Sequence, residues 1–173
     1  GEDDLGRKLE QAIQEKQLPY QLAHLPQETG VVNVINTDGI PQYEILENKA
    51  WDHIPLSEEV LQIAAQTRAI CFGSLAQRNS VTRATLYAFL EAMPADALRI
   101  FDINLRQNWY SEEIINTSLQ KANILKINEE ELHILQQMFN HTDRNEENSC
   151  RQIMQAYDLD MLILTCGAAG STV

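Results

Sequence analysis

The chain has 173 residues, 44% of them hydrophobic, and a formal net charge of −12. That is enough apolar material for a sizeable core, and the acidic balance argues against non-specific nucleic-acid binding and docking on anionic membranes, while leaving room for a local basic pocket for a phosphate. Three scattered cysteines without a CxxC pair, and four histidines without ligand spacing, suggest neither a zinc site nor a disulfide framework and make a reducing cytoplasm the simplest setting. No apolar run approaches 18 residues, so no membrane-spanning helix is expected.

In chain order, DDLGRKLEQAIQEKQL places Leu5, Leu9, Ala12 and Ile13 at helical spacing behind acidic residues, and predicts an amphipathic helix with a capping Asp. After a proline break, LPYQLAHL predicts a short strand. VVNVI and QYEIL, joined by TDGIP with its Asp38-Gly39 turn chemistry, predict a β-hairpin, a flap at about 29–47 outside the main sheet.

From Ser57 onward helices and strands alternate. SEEVLQIAAQTR, SVTRATLYAFLEAM, SEEIINTSLQKA, EEELHILQQMF and SCRQIMQAYDL read as helices, with Ser57 and Ser111 as caps and Pro94 as a stop. AICFGS, LRIFDIN, NILKIN and MLILTC read as strands, and NHTDRNEEN as a polar loop. Such alternation predicts βαβ units and a mostly parallel, Rossmann-like sheet covered on both faces. Ligands then bind beyond the C-terminal strand ends, which singles out Gly73-Ser74, DINLR (102–106), KINEEE (126–131) and TCGAAG (165–170).

Each of these places has a plain reading beside a chemical one. Asp102, Asn104 and Arg106 alternate, and in an extended chain they share one face. Asp102 and Arg106 pair as ions, or Arg106 offers its planar fork to a phosphoryl group. Asn128 and Glu131 form a capping box, or they hold a hydrated Mg²⁺ beside phosphates. Thr165, Gly167 and Gly170 make a strand–helix turn, or their backbone approaches a nucleotide closely. No GxxxxGK[ST] loop occurs. No GxGxxG opens a helix, which argues against a nicotinamide-dependent oxidoreductase. Trp51 and Trp109 read as packing residues.

The order GEDDLG, TG before a hairpin, DINLR, KINEEE and TCGAAG resembles the ribokinase-like sugar kinases of the phosphofructokinase-B type, and the fructokinase-like members most of all. The resemblance implies an α/β fold, a three-layer αβα sandwich with a β-hairpin lid. It implies ATP-dependent phosphorylation of a sugar hydroxymethyl group, with ATP and Mg²⁺ as cofactors. Gly1, Asp3 and Gly6 then correspond to GxDxxG near the sugar. Asn104 and Arg106 lie beside the transferred phosphate. Asn128 and Glu131 organise Mg²⁺ and phosphates, Glu131 through water. Thr165, Gly167 and Gly170 contact ATP, and the hairpin covers the sugar or mediates a homodimer.

The chain also departs from that pattern. No GAGD segment, the family's anion hole and catalytic base, occurs among these residues, and the sugar-binding Gly-Gly/Asn region has no counterpart before Gly1. An internal fragment of a longer kinase, inactive alone, is therefore expected. The alternative is a non-catalytic nucleotide- or protein-binding module of the same fold. The sugar stays open between fructose, favoured by DINLR and the hairpin, and ribose, 2-keto-3-deoxygluconate or a nucleoside.

Overall fold

In the computed structural model, which describes residues 1–37, 39–140 and 145–173, the chain forms two compact units. One comprises Gly1–Leu56 with Asn79–Thr85, the other Ser57–Arg78 with Leu86–Val173. Asp38 of the expected turn and 141–144 of the polar loop lie outside the described residues.

The first unit opens with helix α1 (Asp4–Glu15), capped by Asp3. Its apolar side stays open, with Leu5 49% and Leu9 52% exposed. The two β-rich runs form an antiparallel pair, β1 (Val32–Thr37) and β2 (Ile40–Ile45), in a register that sets Val34 opposite Tyr43 and Val32 opposite Ile45. The strand expected at 18–25 does not form. A strand needs a ladder partner, and β1 and β2 satisfy only each other. Residues 18–25 are irregular and tied down piecemeal, by Gln14 Nε2 donating to Tyr20 OH at 2.9 Å and Glu2 N donating to Leu25 O at 3.1 Å. Thr82 and Thr85 fix the segment after Trp51. Thr82 Oγ1 donates to Trp51 O and accepts from Ile54 N, both at 3.0 Å, while Thr85 Oγ1 donates to Ile54 O at 2.8 Å.

In the second unit polar caps start the helices. Ser57 Oγ accepts from Val60 N at the head of α2 (Glu58–Gln66). Helix α3 (Ser80–Ala92), whose residues through Thr85 belong to the first unit, ends before Pro94, which disfavours helical backbone at the residue before it. Ser111 caps α4 (Glu112–Lys121) and Asn128 caps α5 (Glu129–Met138). Helix α6 (Glu146–Tyr157) begins before the expected SCRQ pattern, because Asn145 Oδ1 accepts from Asn148 N at 3.0 Å and moves the start upstream.

The strands are β3 (Ala69–Phe72), β4 (Leu98–Asp102), β5 (Ile124–Asn128), β6 (Met161–Thr165) and β7 (Ser171–Thr172), adjacent in that order. The first four are parallel, and β7, which the sequence pattern did not signal, runs antiparallel to β6. Successive right-handed crossovers that always step to the next strand put their helices on one face. Phe72, Phe101, Leu125, Ile127, Leu162 and Leu164 point to that face and are buried with Ile115, Leu119, Leu135 and Ile153. The Phe72 and Phe101 rings stack at 5.2 Å. On the alternate face Cys71, Leu98 and Met161 are exposed while Ile124 is buried, so that face is covered less completely than the first. Among the described residues no helix is long and apolar enough to cross a membrane.

Candidate active site

Parallel pairing in register brings the ends of β4, β5 and β6 to one edge of the sheet, with Asp102 beside Lys126 and Asn128 beside Thr165. β3 pairs with β4 in the same parallel sense, so all four motifs singled out in the sequence share one rim.

The first is DINLR, and here the alternating geometry fails. β4 ends at Asp102, and Asn104 takes a positive φ of 42°, so the chain turns instead of extending. Asp102, Asn104 and Arg106 do not share a strand face. Nor do Asp102 and Arg106 pair as ions. Lys126 Nζ reaches both Asp102 carboxylate oxygens at 3.0 Å, because register neighbours on one face of a parallel ladder lie closest. Arg106 is left exposed, with Nη1 donating to Leu105 O at 3.0 Å. Asn104 is exposed as well.

At the end of β5 the capping box is present in full. Asn128 Oδ1 accepts from Glu131 N at 2.8 Å, and Glu131 Oε2 accepts from Asn128 N at 3.0 Å. Glu131 also reaches beyond its own helix, where Oε1 accepts from Leu105 N at 2.9 Å. Its side chain is thus the link between the NxxE helix and the DINLR turn, and the residue is only 5% exposed. Each carboxylate oxygen already holds one backbone N–H and retains a second lone pair. That donor set fits a water-mediated hold on Mg²⁺ better than direct coordination, which takes hard oxygens in near-octahedral array. Among the described residues no cluster of three or more His, Cys, Asp or Glu gathers around one point.

At the end of β6, TCGAAG makes a hairpin into β7, not a strand–helix turn. Cys166 N donates to Gly170 O at 2.8 Å and closes the loop. Gly170 has φ 97° and ψ −136°, a conformation closed to L side chains, and this reverses the chain. Thr165 Oγ1 donates to Ile127 O at 3.2 Å. Nothing lies within 4 Å of where a Cβ would stand on Gly167 or Gly170, so the loop backbone is open on that side.

Asp3 and Gly6 belong to the first unit. Asp3 Oδ1 accepts from Gly6 N and from Thr29 Oγ1, both at 2.8 Å, and Oδ2 accepts from Thr29 N at 2.6 Å. The Thr29 amide first, then the Gly6 amide and the Thr29 hydroxyl, hold the Asp3 carboxyl well below the usual range. Gly6 has no room for a side chain, since a Cβ there would stand 2.0 Å from Gly1 O. The GxDxxG pattern is therefore a helix cap clasped to the start of the hairpin. The sequence signal for Thr29 is the TG before that hairpin. Trp109 was expected as a packing residue. It lies under the Arg78 guanidinium, 5.2 Å from the ring centroid, with Nε1 donating to Gln107 Oε1 at 2.9 Å.

Comparison with known proteins gives the family and the fold. The pfkB family carbohydrate kinase model matches residues 1–173. A fructokinase of Salmonella typhimurium is 24% identical over 180 residues, covering 98% of this chain and 56% of the relative. Among solved structures, the apo fructokinase of Vibrio cholerae superposes with a TM-score of 0.79 at 21% identity, over 99% of this chain and 60% of that one. The same enzyme has been solved with fructose, ADP and a calcium ion, with a TM-score of 0.71 at 19% identity, over 99% of this chain and 56% of that one. A sugar kinase of Pyrococcus horikoshii in complex with ATP gives 0.74 at 20% identity, over 99% and 55% of the two chains. The chain thus spans between half and two thirds of the length of these relatives, and it has the ribokinase-like α/β fold expected from its motifs. With the family model spanning every residue, this chain belongs to the pfkB family of carbohydrate kinases.

Proposed function

We propose that the whole protein transfers the γ-phosphoryl group of ATP to a sugar hydroxymethyl group, with fructose as the first candidate. The observation that carries this reading is the Glu131 bridge. One buried carboxylate ties the turn bearing Asn104 and Arg106 to the head of α5, on the rim that also holds the TCGAAG loop. Phosphoryl transfer needs positioning and charge neutralisation more than covalent chemistry. Arg106 supplies an exposed planar fork to offset charge on the transferred group. Asn104 sits beside it as a hydrogen-bonding group. The open backbone at Gly167 and Gly170, with Thr165, receives the nucleotide. Asn128 and Glu131 hold waters of a Mg²⁺ ion, which when bound neutralises phosphate charge. No residue among these is assigned the role of base.

On the sugar side, Asp3 and Gly6 build the clasp from which the hairpin departs. The exposed Val32, Val34 and Tyr43 support the hairpin's reading as a lid or a dimer surface. The neighbours solved with ATP and with fructose and ADP support the choice of substrates. Three free cysteines support a cytoplasmic setting.

The test is ADP release by the full-length protein over a panel of fructose, ribose, 2-keto-3-deoxygluconate and nucleosides. Arg106→Ala is expected to lower kcat by about a hundredfold, the order seen when one charge-stabilising donor is removed. Unchanged turnover removes the role given to Arg106. Nucleotide binding without ADP release on any sugar replaces this reading with that of a binding module.

A further inference from the structure

The backbone around Asn104 is held from a second side. Ser74, at the exit of β3, is 1% exposed, and its Oγ donates to Ile103 O at 2.7 Å while its own N donates to the same oxygen at 3.3 Å. The two strand exits run close together, since a Cβ on Gly73 would stand 3.0 Å from Asp102 O. On the far side of Asn104, Leu105 N donates to Glu131 Oε1. These contacts act on the two peptide planes that flank one α-carbon. The Ile103–Asn104 plane is gripped through its carbonyl by Ser74, and the Asn104–Leu105 plane is gripped through its N–H by Glu131. The φ and ψ of Asn104 describe only the rotation between those planes. Gripping both planes therefore fixes the left-handed backbone that turns Asn104 and Arg106 out of the strand direction.

We propose that Ser74 is a positioning residue for the turn that carries Asn104 and Arg106, acting opposite Glu131. This assignment rests on the kinase reading for its consequence, but not for its geometry. Ser74 is itself braced by a buried amide. Gln77 Nε2 donates to Gly73 O and to Ser118 Oγ, both at 2.9 Å, and Gln77 N donates to Ser74 O at 3.0 Å. Gln77 and Ser118 are fully buried, so the β3 exit is anchored to α4 independently of the turn it holds. Ile103 O already has a backbone donor in Ser74 N, and the hydroxyl is a second one on the same acceptor. Such an addition makes sense where the orientation of that carbonyl matters.

The experiment uses the full-length protein. Ser74→Ala is expected to lower kcat by about tenfold to a hundredfold, as misplacement of a reacting group does, with the KM values for ATP and sugar within about twofold of wild type. Ser74→Thr, which keeps the hydroxyl, should recover most of the loss. In an Arg106→Ala background Ser74→Ala should cost less than it does in wild type, because part of its effect passes through Arg106. Hydrogen exchange of residues 103–106 should rise in Ser74→Ala while the β5 ladder keeps its protection. A Ser74→Ala kcat within twofold of wild type, or losses that multiply fully with Arg106→Ala, overturns the proposal. If wild type phosphorylates no sugar, the kinase reading fails alone. The exchange data then decide this one, with raised exchange at 103–106 supporting it and unchanged exchange ending it.

Discussion

Replacing Glu131 by Ala tests the bridge on which the site is built. The carboxylate is almost fully buried and accepts two backbone N–H bonds, from Leu105 at 2.9 Å and Asn128 at 3.0 Å. Hydrogen bonds to a charged group contribute about 1.5–3 kcal/mol each, and a buried donor left without a partner costs about 1–3 kcal/mol. Both amides are partly buried and water can recover some of that loss, which gives about 3 kcal/mol for the pair. The helix start itself survives, because Asn128 Oδ1 still accepts from the amide of residue 131. The loss is therefore local to the two orphaned donors. About 3 kcal/mol lowers Tm by about 6–12 °C for a cooperative unit of 150–250 residues, and by less for a longer one. Glu131→Gln keeps one acceptor but turns an amide group toward the other N–H, and should fall between wild type and Ala. Thermal unfolding by circular dichroism gives the size of the effect, and hydrogen exchange at Leu105 gives its location. A stability loss below about 1 kcal/mol, or unchanged protection of Leu105, refutes the reasoning.

Two further predictions concern the clasp of the first unit. The Asp3 carboxyl is held below its ordinary value of 3.8, so in the folded state it favours the ionised form. Its contribution to stability is complete above the unfolded value and is lost as pH falls from about 4 through the lower folded value. An acid titration of unfolding should therefore show a steeper decline for wild type than for Asp3→Asn, whose stability is already reduced at neutral pH. Parallel curves for the two proteins count against the assignment. Gly6→Ala places a Cβ 2.0 Å from Gly1 O and 2.9 Å from Thr29 Oγ1. Overpacking of this kind costs about 1–3 kcal/mol, so a neutral or stabilising Gly6→Ala in chemical denaturation contradicts the close approach of residues 1 and 6.

Most of the architecture is legible because it rests on short-range physics. Apolar runs alternating with amphipathic segments give the order of β3–β6 and α2–α6, and Ser57, Ser111 and Asn128 mark helix starts through bonds three residues away. The segment 18–25 was misread because β-rich composition says nothing about whether a partner edge is available. Strand β7 is too short to carry a pattern of its own, and depends on the reversal at Gly170.

The site divides along the same line. From the sequence alone come the residue types and their order at strand ends, and with them the family resemblance and the capping box of Asn128 and Glu131. Tertiary structure alone decided what those residues do to one another. Extended alternation put Asp102, Asn104 and Arg106 on one face, but the backbone turns at Asn104 under contacts from Ser74 and Glu131, 30 and 27 residues away in sequence. Asp102 took Lys126 in place of Arg106 because register in a parallel ladder brings together residues the chain keeps 24 apart. Local periodicity fixes which residues reach a strand end. Which backbone groups hold them there is a matter of non-local hydrogen bonds, and those exist only once the strands have paired.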